Sequence, residues 1–163
     1  MNFSVVFALF AIAMAGPVRY HRKPVQLYAQ TGQYMAIKHS GIVKPIRGGH
    51  ARTALINILP VHHGERGEFV IQGALTGLFI KIKKNGRLAA VPFRHQAAHF
   101  AEEMISENKF NSYRLVSKPN CRLTISKFKF KIQCHDQIKM KKMSFLPRRT
   151  HLRNRLLYRG VTV

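Results

Sequence analysis

The sequence predicts an all-β fold of about twelve short strands in three related units, and three observations carry that expectation. Apolar residues tend to alternate with polar ones, as in Leu75, Phe79, Ile80 and Ile82, or in Phe128, Phe130 and Ile132 separated by lysines. A period of two buries one face of a strand and wets the other, which places Lys127, Lys129 and Lys131 on one face and Phe128, Phe130 and Ile132 on the other. Glycine and proline punctuate the chain from Gly32 to Pro92 at intervals that suit hairpins. Finally, Thr31 to Val43 lines up with Thr76 to Leu88, matching positions being 45 residues apart. Each copy reads as turn, alternating strand, glycine turn and the start of a second strand. Cys121 to Ile125 supplies a third strand of the same kind without the glycine. Three such units fit a β-trefoil better than a propeller or a solenoid.

Taken in chain order, the first sixteen residues come first. Val5 to Met14 is an unbroken apolar run, and Ala13-Met14-Ala15 is a small-x-small pattern before Gly16. This pattern is that of a secretory signal peptide over residues 1–15. The run is too short for the ~18 to 20 residues that span a bilayer, so no membrane insertion is expected. Residues 16–24, with Arg19-Tyr-His-Arg-Lys-Pro24, read as a flexible basic lead-in. Residues 25–150 read as the folded domain. Asn85-Gly86 between Ile82 and Leu88 is its strongest hairpin signal, because Asn-Gly takes the positive φ of a tight turn. His95 to Ile105 is the one stretch that reads as helix or equally as loop plus strand. Residues 151–163 form a basic tail.

Charge narrows the partner. The 163 residues hold 28 Lys+Arg against 6 Asp+Glu, a formal net charge of +22, with an ordinary 46% of apolar residues. So few acids exclude most paired-carboxylate and metal-dependent hydrolases. A surplus of this size attracts polyanions. For a secreted chain the abundant polyanion is the sulfated glycosaminoglycan of the matrix rather than nucleic acid. The cations concentrate late: from Lys118 to the end there are 13 basic residues and one acid, Asp136. Lys127, Lys129 and Lys131, followed by Lys139, Lys141 and Lys142, are the candidate sulfate ligands, since charge-assisted contacts need no acid or base chemistry. A solvated strand edge guarded by lysine is the plainer reading of any one of them.

Five segments in order resemble the fibroblast growth factor family. Leu27-Tyr28-Ala29-Gln30-Thr31-Gly32 is similar to its opening strands, and Gly64 to Gly73 to its Gly-x-Val-x-Ile-x-Gly strand. Phe79 to Leu88 resembles Tyr-Leu-x-Met-x-x-x-Gly-x-Leu. Glu103 to Tyr113 resembles Glu-x-x-x-x-Asn-x-Tyr-Asn-x-Tyr, and Phe145-Leu146-Pro147 the C-terminal Phe-Leu-Pro strand. The resemblance covers Leu27 to Thr150. His99 and Ala29 stand where the family usually has cysteine, and Ser126 to Asp136 replaces a glycine-rich loop, which suggests a divergent member of invertebrate or viral type.

The resemblance implies a secreted β-trefoil ligand, monomeric until it assembles with heparan sulfate and the immunoglobulin-like ectodomain of a fibroblast growth factor receptor tyrosine kinase. It implies signalling for proliferation, migration or differentiation, with no enzyme activity and no cofactor. Carried over by position, Tyr28, Glu103, Asn108, Phe110 and Leu146 are the receptor-binding candidates, Phe110 standing for a family tyrosine, and Lys131, Lys141 and Lys142 are the best placed for sulfate. Aromatic anchors with a few polar partners suit an interface hot spot, although each is equally suited to a core. Glu103 is the hardest of these to set aside, since an electropositive chain is expected to hold so rare an acid for a reason.

Other readings weigh less. Nine histidines, among them His62-His63 and the pair His95 and His99, form no complete zinc set, nor does Cys134-His135-Asp136. No motif orients either cysteine as a nucleophile. In a secreted chain Cys121 and Cys134 fit one disulfide or two packed thiols equally. Asn2-Phe3-Ser4, the sole glycosylation acceptor pattern, lies in the signal. A ribosomal-like nucleic-acid binder would share the composition but needs neither the leader nor the trefoil motifs. A trefoil lectin or protease inhibitor would lack the Glu103 to Tyr113 and Phe-Leu-Pro elements.

Overall fold

A computed structural model describes residues 23–64, 66–105, 109–134 and 138–149. The signal segment, most of the lead-in, Asn108 and the tail lie outside the described residues. Twelve strands follow in order: β1 Val25–Ala29, β2 Gln33–Ile37, β3 Val43–Ile46, β4 Leu55–Pro60, β5 Glu68–Gly73, β6 Phe79–Ile82, β7 Leu88–Val91, β8 Phe100–Ile105, β9 Phe110–Leu115, β10 Lys118–Ile125, β11 Phe130–Gln133 and β12 Phe145–Arg149. One short helix, α1, spans Met140–Met143. The stretch from His95 resolves as loop plus strand: a single 3₁₀ turn over Arg94–Gln96 leads into β8. No helix among the described residues is long and apolar enough to cross a membrane.

Six strands close into a ring. Antiparallel pairs join β1 to β4, β4 to β5, β5 to β8, β8 to β9, β9 to β12 and β12 back to β1. Closure removes the unpaired strand edges an open sheet would present. Each barrel strand sends a large side chain inward, Leu27, Ile56, Ile71, Phe100, Tyr113 and Phe145 being fully buried. Tyr113 stacks on Phe145 at 5.8 Å and meets Phe69 edge-on at 5.4 Å, geometries that aromatic quadrupoles favour. Tyr113 also donates its hydroxyl to Glu102. Burial first, then the Glu102 charge and this hydrogen bond, hold its phenol well above the ordinary tyrosine range.

Three hairpins, β2–β3, β6–β7 and β10–β11, cap one end of the barrel. Their first strands continue the barrel pairing through β1, β5 and β9. Val43, Leu88 and Phe130 are the equivalent buried residues at the start of each second strand. The hairpins touch in a cycle: the amide of Ala90 donates to the Gly41 carbonyl and that of Ile132 to the Gly86 carbonyl, both at 2.8 Å. Glycine is required at these turns, since φ is +76° at Gly41 and +75° at Gly86, and a Cβ at Gly41 would sit 2.7 Å from the Ala90 oxygen. Asn85 keeps negative φ and instead accepts the Arg87 amide on its side-chain oxygen, so the turn holds one left-handed residue rather than two.

The third seam breaks the pattern. Two residues into β3, the position equivalent to Ala90 and Ile132 is Pro45, which has no amide to donate. The turn that would accept it, between Ile125 and Phe130, is a residue shorter and has no glycine. The Gln33 side chain substitutes by donating to the Lys127 carbonyl at 3.2 Å. This explains why the third repeat is faint in sequence.

The same turn corrects the expected placement of Phe128. Regular alternation holds only from Phe130 onward. Phe128 lies in the turn, 77% exposed, with the Lys127 ammonium 5.1 Å from its ring centre. Leu75 is likewise in a turn and exposed. Cys121 and Cys134 form a disulfide across the base of this hairpin, with a Cα separation of 3.9 Å, which decides between the two readings of these cysteines.

Candidate functional site

Two surfaces stand out, one apolar on the barrel flank and one cationic on the cap. The first is set by strand register. Across β2 and β3 Tyr34 faces Ile46, across β1 and β2 Tyr28 faces Tyr34, and across β1 and β12 Tyr28 faces Leu146. Phe145 faces Asn111 on β9, so extending that register by one residue brings Leu146 beside Phe110, which itself faces Ile105 on β8. Directly opposed residues share a face. Ile46, Tyr34, Tyr28, Leu146, Phe110 and Ile105 therefore make one continuous row over six strands, and every member is half-buried.

Three of these, Tyr28, Phe110 and Leu146, are among the residues singled out in the sequence, and the fold brings them together although Tyr28 and Leu146 lie 118 residues apart. Tyr34, Ile46 and Ile105 were not foreseen; only the register reveals them. The rings of Tyr28 and Tyr34 lie 5.1 Å apart. Above them the Arg148 guanidinium sits 3.6 Å from the centre of the Tyr28 ring and donates to the Tyr34 hydroxyl at 3.4 Å. A cation over an aromatic face holds the ring in place.

Glu103 projects from β8 on the same outward face, two residues from Ile105. Both its oxygens are engaged, one by Arg114 Nε at 3.2 Å and the other by Arg122 Nη2 at 2.9 Å. Its partners thus include two arginines of this chain, which ties β8 to β9 and β10. The other described acids are also occupied: Glu102 accepts from Asn111 and Tyr113, and buried Glu68 contacts His99 at the start of β8. Among the described residues no group of three His, Cys, Asp or Glu is arranged to hold a metal.

The second surface gathers the lysines. Lys127 and Lys129 are exposed in the β10–β11 turn, while Lys131 points outward from β11 between buried Phe130 and Ile132, which packs on the core. Lys139, Lys141 and Lys142 are exposed on and just before α1. The β1–β2 turn holds the two groups side by side. The Gln30 amide donates to the carbonyl of Ser144 at the end of α1, and three residues on Gln33 donates to Lys127. The Ser144 hydroxyl closes the helix by donating to the Met140 carbonyl at 2.7 Å. No acid among the described residues pairs with these six lysines.

A family model for fibroblast growth factor matches residues 23–144 of the chain. The chain belongs to the fibroblast growth factor family. A Danio rerio protein named "Putative fibroblast growth factor 1" is 30% identical over 104 residues, which is 63% of this chain and 67% of that protein. The twelve-stranded all-β architecture is accordingly the β-trefoil of this family, and the general role is that of a growth factor. The match ends just before β12, so the strand that carries Leu146 and Arg148 joins the family pattern through its pairing with β1.

Proposed function

We propose that this growth factor is secreted, binds heparan sulfate through its cationic cap and activates a fibroblast growth factor receptor tyrosine kinase through the apolar row on its barrel. The row carries the reading. Six half-buried aromatic and aliphatic side chains held by paired strands form a rigid, largely apolar patch, with Arg148 at its rim, on a chain of net charge +22, and patches of this kind mark protein interfaces. The cap supports the second partner, because clustered lysines that pair with no acid among the described residues suit a sulfated chain. Secretion rests on the leader at residues 1–15, and the protein acts as a monomer until both partners assemble on it.

The test adds the protein, purified from medium, to cells expressing one fibroblast growth factor receptor at a time, with and without heparitinase treatment. Receptor tyrosine phosphorylation that depends on intact heparan sulfate is expected for at least one receptor. Absence of phosphorylation in every receptor background overturns the signalling role and leaves the fold standing.

A further inference from the structure

The cationic surface does not stop at the third hairpin. Where the second hairpin meets it, Arg87 forms an isolated antiparallel bridge with Lys131, beside the hydrogen bond from Ile132 to Gly86. Leu88 and Phe130 point into the core, so their neighbours Arg87 and Lys131 point out, side by side. Lys83 and Lys84 are exposed in the same turn. Two cations directly opposed across a strand pair repel each other. The fold does not require this pair. The equivalent bridge at the preceding seam joins Ile42 to Ala89, which are uncharged, at positions 45 and 42 residues earlier. No ion pair to a described acid relieves Arg87 or Lys131, since Glu68, Glu102 and Glu103 are engaged elsewhere. An external polyanion that bridges both cations turns the repulsion into shared attraction.

We infer that the Lys83–Arg87 turn is a second sulfate-binding segment, continuous with Lys131, so that one long sulfated glycan chain crosses from the third hairpin onto the second. This rests on the proposed heparan sulfate binding and adds residues and a direction to it.

The experiment measures affinity against salt for the full chain on three probes: full-length heparin, a heparin tetrasaccharide and fully desulfated heparin. Replacing Lys83, Lys84 and Arg87 together by Gln is expected to lower the slope of log affinity against log salt on full-length heparin by about two to three, roughly one per cation. On the tetrasaccharide, which spans Lys131 and Arg87 but makes fewer contacts in all, the slope falls by less, about one, and desulfated heparin binds neither protein. Lys23, Arg66 and Lys109, exposed cations outside the cap, replaced together by Gln remove equal charge and leave the slope on heparin within one. Lys84→Gln alone, at a turn position with an open side chain, guards against a folding effect and lowers the slope by about one. If the triple variant keeps the full slope, or loses no more than the control, the second segment is wrong while heparan sulfate binding stands. If desulfated heparin competes equally, sulfate recognition by these residues is wrong. If wild type does not bind heparin, the parent reading fails and takes this one with it.

Discussion

The apolar row and the cationic cap sit on one small domain and are built by opposite means. The row draws single residues from six strands, and its geometry is fixed by the register of a closed barrel. The cationic cap is made of a turn, one short helix and the outward face of β11, its cations are neighbours in sequence, and Lys127 and Lys129 stand exposed in the turn. A surface fixed by register presents a preorganised shape, and its energy concentrates in a few side chains. A surface of exposed lysines acts through summed charge, and its energy divides almost evenly among them. Substitutions should therefore separate the two surfaces in kind as well as in size.

The largest effect is expected in the row. Tyr28→Ala with Leu146→Ala removes two facing anchors, each about 2 kcal/mol by analogy with interface hot spots, or roughly a thousandfold in receptor affinity together. Surface plasmon resonance on the receptor ectodomain reads the loss, and elution from heparin stays as in wild type. A matched loss on both columns would mean the domain has unfolded, and a loss below tenfold would remove the row from the interface. Arg148→Gln tests the rim of the same patch: it frees the Tyr28 ring and is expected to cost about 1 kcal/mol in receptor binding.

Next in size is the clip at the base of the third hairpin. Cys121→Ser with Cys134→Ser opens the disulfide and leaves a hydroxyl at a buried site. The expected cost is about 3 kcal/mol of stability, read as a lower midpoint in chemical denaturation. The hairpin carries cap cations and only Phe130 of the central aromatic cluster. Reduction should consequently weaken heparin binding more than receptor binding under conditions where the domain stays folded. Equal weakening would show that the clip serves the whole barrel.

Smaller again, and graded, is the response of the cap. Lys131, Lys141 and Lys142 replaced together by Gln lower the salt slope on heparin by about three, with receptor affinity in the absence of glycan unchanged. An unchanged slope would move the sulfate surface toward Arg148, Arg149 and the tail.

The contrast also governs how much was legible in the sequence. Lysines at 127, 129 and 131 announce themselves because a cap is local. The first two repeats are visible because Gly41 and Gly86 answer the same steric demand, and the third fades where Pro45 and a shortened turn remove the hydrogen bond that demand serves. Phe128 was misplaced by carrying strand periodicity into a turn. The row is invisible to any local pattern: Tyr34 and Ile46 look like ordinary strand residues until pairing aligns them with Tyr28. Tyr28, Phe110 and Leu146 were reachable only through family resemblance. Glu103 stands out in the sequence as a rare acid and, by resemblance, as a receptor contact, but the two arginines of this chain that engage it come from strands whose pairing no spacing rule predicts.

Tyr113 gives the smallest expected effect and a control for both surfaces, because it lies beneath them and touches neither partner. Tyr113→Phe keeps the stacking on Phe145 and loses the hydrogen bond to Glu102, for a cost of about 1 kcal/mol at neutral pH. Its pH dependence separates it from a simple packing change. The native phenol binds its proton more tightly than the unfolded one, so its contribution is complete below the unfolded value near 10. Above that pH the unfolded chain releases the proton first, and the contribution declines as pH rises toward the native value. Wild type is accordingly expected to lose stability between about pH 10 and 11 more steeply than Tyr113→Phe, by denaturant titration at each pH. Parallel curves would mean that the phenol is not held protonated in the native core. Receptor affinity and heparin elution at neutral pH should match wild type, since neither the register of the row nor the charge of the cap changes.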